Sequence, residues 1–239
     1  MKKIIQKADE RGIAEHGWLH SKFSFSFAEY YNPKKMGFGL LRVLNDDIIE
    51  PGEGFGKHPH NNMEIITIML HGELEHKDSS GSGSVIKPGE IQVMSAGTGI
   101  LHSEFNHSRI DHVNLLQLWI IPKERNITPR YDQKAFPMEE INNGLLKVVS
   151  GTKSEDTLYI HQTAAISLGK LDVGKSLLYN FSYKGNGVYL FVIKGKIYLD
   201  GDELNERDAA GIYETDNFEI STSTGSEFVL IEVPIVLPF

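Results

Sequence analysis

Cysteine is missing from the 239 residues, which excludes disulfides and thiolate metal ligands and fits a reducing compartment. No block of lysine or arginine occurs, and 24 basic side chains stand against 32 acidic ones for a formal charge of −8. That balance argues against nucleic acid or an anionic membrane as a direct electrostatic partner. Long apolar segments are lacking as well. Lys2, Lys3, Lys7, Asp9 and Glu10 interrupt the start before a signal-peptide core can form. The apolar run from Phe228 to Phe239 is broken by Glu232, Pro234 and Pro238, and is too short to span a bilayer. A cytoplasmic protein is expected. Helical periodicity is weak throughout.

With 40% apolar, 10% aromatic and 23% charged residues, the chain has the composition of an ordinary folded globule. Its length exceeds the usual size of one hydrophobic core, so one large or two modest domains are expected. The commonest pattern is a short run of β-branched and aromatic residues closed by Gly, Asn, Asp or Pro, as in sandwiches and barrels. Such runs cover Phe38 to Val43, Glu64 to Leu70, Val113 to Ile121, Val188 to Ile193, Lys196 to Leu199 and Glu227 to Val233. Turns are expected at Asp78 to Gly83, Lys87 to Glu90, Asn142 to Gly144 and Asp200 to Asp202, where Gly and Asn supply positive φ.

Two stretches share one plan. Ile68 to Leu74, with Gly72 at its bend, leads through a polar turn to Gly89-Glu90 and Ile91 to Val93; Phe191 to Ile197, with Gly195 at its bend, leads through Asp200 to Asp202 to Asp208 to Ile212. Each reads strand, glycine, strand, tight turn, strand. The expected architecture is all-β: two β-barrels in one chain, joined between Pro122 and Lys147, where Pro122, Pro129 and Pro137 sit among charges.

The chemistry concentrates in the first half. His58-Pro59-His60 and, 42 residues further on, His102-Ser103-Glu104 place three imidazoles and a carboxylate at i, i+2 spacing in stretches that read as β. Both members of each pair face the same way on a strand. If the two strands line one pocket, the four groups converge into a site for one divalent transition metal, extending the two-His, one-carboxylate set of oxygen-activating iron enzymes. The second half has only His161, so metal is expected in the N-terminal half alone.

The run from Gly54 to Thr67, continued by Leu70 to Ser79, resembles the first characteristic block of pirin-type bicupins, and Gly89 to Glu104 resembles their second. The likeness extends to Trp18, Phe25 to Pro33, Leu41 to Asp47 and Gln117 to Ile120. It is strong over roughly the first 135 residues and weak beyond. It implies a bicupin of two packed jelly-roll barrels, an N-terminal metal-bearing one at 1–135 and a degenerate one at 136–239. His58, His60, His102 and Glu104 fall on the family's metal ligands, while Glu64, a ligand in many other cupins, is expected nearby or on the opposite face. Phe23 stands where bacterial relatives commonly have a histidine.

The resemblance is nearest to bacterial pirin-like proteins with quercetin 2,3-dioxygenase activity. It implies a metal-dependent dioxygenase that cleaves quercetin-like flavonols with dioxygen, using Fe, Cu, Ni, Co, Mn or Zn, with Glu104 as general base for the substrate hydroxyl. Two other functions fit the same residues. One is a redox-responsive metal-bearing interaction protein, as animal pirins imply; the other is a non-catalytic or isomerase-type cupin holding a small acid. Two halves packed within one chain suggest a monomer.

The remaining histidines have plainer readings. His71 and His76 read as exposed or capping side chains of the Gly72 hairpin, His16, His20, His107 and His112 as solvated, and His161 as a structural histidine on a strand. Gly97-Thr98-Gly99 lacks a following helix or lysine, so it reads as a tight turn delivering His102 and not a phosphate loop. Phe23, Phe25, Phe27, Tyr30 and Tyr31 read as core or barrel packing.

Overall fold

The computed structural model describes residues 1–235; positions 236–239, the end of the apolar C-terminal run, lie outside the described residues. Four sheets, antiparallel except where Gly144–Ser150 pairs in parallel with Leu158–Tyr159, form two sandwiches of one plan, each a seven-stranded sheet facing a four-stranded one. In the first sandwich the large sheet runs in the order Arg130–Ala135, Glu90–Ser95, Glu64–His71, Val113–Ile120, Leu41–Ile49, Leu19–Phe23, Gly12–Glu15. Its small sheet runs Gly54–His60, Ile100–Asn106, Leu74–Asp78, Gly83–Ile86. The second sandwich repeats this with Asn186–Gly195 and Ser226–Pro234 at the centre of its large sheet and Asn217–Ser221 beside Ile197–Leu199 in its small one. The two halves are thus related bicupin barrels. Helix is confined to two single 3₁₀ turns, Ala8–Glu10 and Met138–Glu140, among the described residues.

The large sheets pack back to back. Ile66, Ile68, Leu116, Leu118 and Ile120 of the first meet Phe191, Ile193, Val229, Ile231 and Val233 of the second in one continuous core. The intervening residues of the same strands fill the barrels, as Val188, Leu190, Phe228 and Leu230 do in the second. Strands buried on both faces need near-continuous apolar runs, which is why these segments read as runs and not as alternation.

The two interiors differ in polarity. The second barrel is filled by Ile197, Leu199, Phe218, Ile220 and their partners. In the first, the barrel-facing positions between Leu116, Leu118 and the other interface residues hold Gln117, and Thr67 takes the matching place between Ile66 and Ile68. Asn45, Asp47, Gln92 and Ser21 are buried polar residues of the same half.

Several boundaries differ from the sequence reading. The strand expected at Phe38 to Val43 runs from Leu41 to Ile49, because Phe38 turns back to pair with Leu41. Residues 2–6 pair with Ala209–Tyr213 and so belong by hydrogen bonding to the sheet of the C-terminal half. Gln6 fixes this crossing, donating to Ser24 O and accepting from Tyr189. Tyr31 is not core but 73% exposed, whereas Phe23 and Phe25 are buried.

Candidate metal centre

Strands Gly54–His60 and Ile100–Asn106 are hydrogen-bonded neighbours, with His102 directly opposite His58 and Ile100 opposite His60. The first of them is an edge strand, which tolerates Pro59 because one row of its N–H groups has no ladder partner. The turn at Gly97 to Gly99 closes with a bond from Gly99 N to Ala96 O at 2.9 Å and leads directly into the His102 strand. Imidazole centroids lie 4.3 Å apart for His58 and His102, 4.8 Å for His60 and His102, and 4.9 Å for His58 and His60. One ring nitrogen from each can meet the other two within 4.8 Å.

Glu104 enters differently. A bulge between His102 and Glu104 shifts the register, so that Glu104 lies opposite Phe55. Such an insertion re-aims the side chains beyond it. Its carboxylate groups within 4.8 Å with His102 and with a fourth histidine, His76. His76 is fully buried, which corrects the expectation of an exposed hairpin residue. Its strand, Leu74–Asp78, is sandwiched between Ile100–Asn106 and Gly83–Ile86, and the Tyr131 ring covers it at 4.7 Å. His102 is common to both groups of donors.

The orientation of each donor has a visible cause. His58 Nδ1 donates to Gly56 O at 2.8 Å, so its Nε2 keeps the lone pair. Trp119 Nε1 donates to Gln117 Oε1 at 3.1 Å, and this turns the Gln117 amide nitrogen toward Thr67 Oγ1 and Glu104 Oε2, each at 3.4 Å. Three buried atoms are left without a partner: His60 Nε2, His102 Nε2 and Glu104 Oε1. Buried polar atoms without partners are costly; the two nitrogens belong to the group of His58, His60 and His102 and the oxygen to that of His76, His102 and Glu104, and a borderline divalent cation accepts both kinds of donor.

Electrostatics fit the same ion. Burial, reinforced by His58, lowers the His60 pKa to about 4; burial, reinforced by His58, His60 and His76, lowers that of His102 to about 2. Both rings are therefore neutral at pH 7, with lone pairs free. Burial raises the Glu104 pKa to about 7 against the Gln117 bond, with Asp47 adding to the rise. A carboxyl poised there exchanges its proton readily, and a nearby dication favours its charged form.

Glu64 and His161 lie outside the cluster. Glu64 shares the sheet face of Ile66 and Ile68, toward the second barrel, where it accepts from Ser95 Oγ at 2.7 Å with His161 Nδ1 at 3.5 Å. This is the opposite face from His58 and His60. His161 sits in a bend past the short strand Leu158–Tyr159 and not on a strand, edge-on to the Tyr159 ring at 4.8 Å. His16, His71, His107 and His112 are exposed and His20 half-buried. Sequence reasoning missed His76, Asp78, Gln117 and Trp119. The available signal for the first two was their own i, i+2 spacing, the same as in the other two pairs.

A barrel pair of this plan with histidines grouped in one barrel defines a bicupin with a candidate metal centre. The chain belongs to the pirin family: residues 6–120 match the pirin domain and 147–233 the quercetinase C-terminal cupin domain. The quercetin 2,3-dioxygenase of Escherichia coli strain K12 is 41% identical over 232 residues, covering 97% of this chain and 99% of that protein. The crystal structure of YhhW from Escherichia coli superposes with a TM-score of 0.93 at 40% identity over the whole of both chains. The bacterial pirin YhhW in complex with nickel(II) gives 0.92 at 40%, covering 98% of this chain and all of that one. The likeness therefore runs through the C-terminal half as well, where the sequence motifs had faded.

Proposed function

We propose that His58, His60, His102 and Glu104 hold one divalent transition ion, and that the protein is a metal-dependent dioxygenase opening the heterocycle of quercetin-like flavonols. The observation that supports it most is the set of buried, partnerless donors His60 Nε2, His102 Nε2 and Glu104 Oε1. The nickel complex of one relative and the name of another point the same way. Fe, Cu, Co, Mn and Zn also suit these donors, and nickel is the first to test.

A bound dication supplies Lewis acidity that lowers the pKa of a coordinated hydroxyl. Glu104 would hold the ion through Oε1 before substrate arrives and, on leaving it, takes the flavonol hydroxyl proton at that oxygen, with Gln117 holding Oε2. Trp119 stands edge-on to His60 at 4.8 Å and Phe27 edge-on to Trp119 at 5.2 Å, an aromatic wall suited to planar substrate rings. In this reading the chain acts as a cytoplasmic monomer on a small aromatic substrate, with neither nucleic acid nor a membrane as partner.

The test is anaerobic loading with nickel followed by quercetin and dioxygen. Stoichiometric oxygen uptake with release of carbon monoxide is expected. Absence of turnover with nickel, iron, copper, cobalt, manganese and zinc alike removes the dioxygenase.

A further inference from the structure

His76 and Asp78 are not among the four proposed ligands, yet both side chains are shielded beside His102. Asp78 Oδ2 lies 3.3 Å from His76 Nε2, and both side chains are fully shielded from solvent. On the far side of the same ring, His76 Nδ1 lies 3.5 Å from His102 Nδ1. The other nitrogen of that second ring, His102 Nε2, is one of the partnerless donors. Three side chains thus form a line from a surface turn to the candidate ion position.

Proton placement along this line follows by elimination. A carboxylate only accepts, so His76 Nε2 carries the hydrogen that faces Asp78. Asp78 itself is held as an acceptor: Ser80 N donates at 2.8 Å, Ser80 Oγ at 2.6 Å and Ser82 N at 3.2 Å. A neutral imidazole has one hydrogen, so His76 Nδ1 is bare. The Gln92 amide donates to that same atom at 3.4 Å, as a bare nitrogen requires. The 3.5 Å approach of His102 Nδ1 to that bare nitrogen is a hydrogen bond when His102 Nδ1 carries the hydrogen, and His102 Nε2 is then left with a lone pair.

Building on the ion site proposed above, we infer that Asp78 and His76 are positioning residues that preset His102 in its Nδ1–H tautomer, aiming the Nε2 lone pair into the pocket before any ion arrives. The physical reason is general: a liganding imidazole is oriented, and made a better donor, by an acceptor on its other nitrogen. Here that acceptor is a second imidazole backed by a carboxylate. His58 achieves the same with a backbone carbonyl, Gly56 O, so two of the candidate ligands are preset by different means.

Long-range ¹H–¹⁵N spectra of metal-free, ¹⁵N-histidine-labelled full chain test this without any ion, with signals assigned through His58→Gln, His76→Gln and His102→Gln. His102 should be protonated on Nδ1 and His76 on Nε2; His102 protonated on Nε2 overturns the inference. A second arm measures nickel affinity. His76→Phe keeps the ring stacked on Tyr131 but removes the acceptor and should weaken binding ~10–100-fold. His76→Gln restores an acceptor oxygen and should recover most of that loss. Equal binding by wild type and His76→Phe, or equal loss in both variants, also overturns the inference. Wild-type protein that takes up no nickel instead defeats the ion site proposed above, and the tautomer result then decides the inference alone.

Discussion

His60 and Glu104 make distinct predictions. His60→Ala removes one of the three grouped imidazoles and should lose metal and oxygen uptake together, with affinity down about 100-fold or more, checked by elemental analysis and an oxygen electrode. Glu104→Gln keeps an oxygen at the site but no base, so it should retain part of the metal while turnover falls about 10²–10⁴-fold. Asp47 predicts a pH effect on stability. It is buried against Ser21, and burial raises its pKa from 3.8 to about 7. Between those values the folded state binds a proton that the unfolded chain has released, so this contribution is complete below about pH 4 and lost as the pH rises through 7. In thermal unfolding of metal-free protein, Asp47→Asn should gain on wild type across that window and hold a constant advantage above it. The residues most legible in the sequence were His58, His60 and His102, because i, i+2 spacing on a strand fixes a shared face whatever the partner strand. His76-x-Asp78 has the same spacing but was missed. Its burial comes from the strands on either side of it, and that pairing is set at long range.

At the scale of elements, the hairpin glycines hold the repeat together. Gly72 and Gly195 occupy matching bends with φ of 75° and 78°. A Cβ on Gly72 would sit 2.6 Å from His112 O, and one on Gly195 would strike Gly225 O. Gly72→Ala and Gly195→Ala should each destabilise by about 1–3 kcal/mol, read from denaturant unfolding. Turn chemistry made these hairpins visible from sequence, as it did Asp200-Gly201. The strand Gly54–His60 was read as β although it has few apolar residues, and it lies at an edge of its sheet. The edge position explains why it folds as one regardless.

For the whole molecule, the duplication was legible because both halves repeat strand, glycine, strand and turn. The crossing of residues 2–6 into the second sheet was not, because their partners at 209–213 lie at the far end of the chain. Deleting 1–6 should uncover the edge of Ala209–Tyr213, lower the melting temperature and promote association. The intact chain should scatter light as a single copy, because the apolar faces of its two large sheets already cover each other.

The central claim is that one ion sits on three imidazoles and one carboxylate of the N-terminal barrel. X-ray absorption on nickel-loaded protein, with metal content measured on the same sample, tests it most directly. One nickel per chain with three histidine nitrogens and a carboxylate oxygen, lost in His58→Ala, is the predicted result. A chain without stoichiometric nickel, or one whose nickel shell is unchanged in His58→Ala, contradicts it.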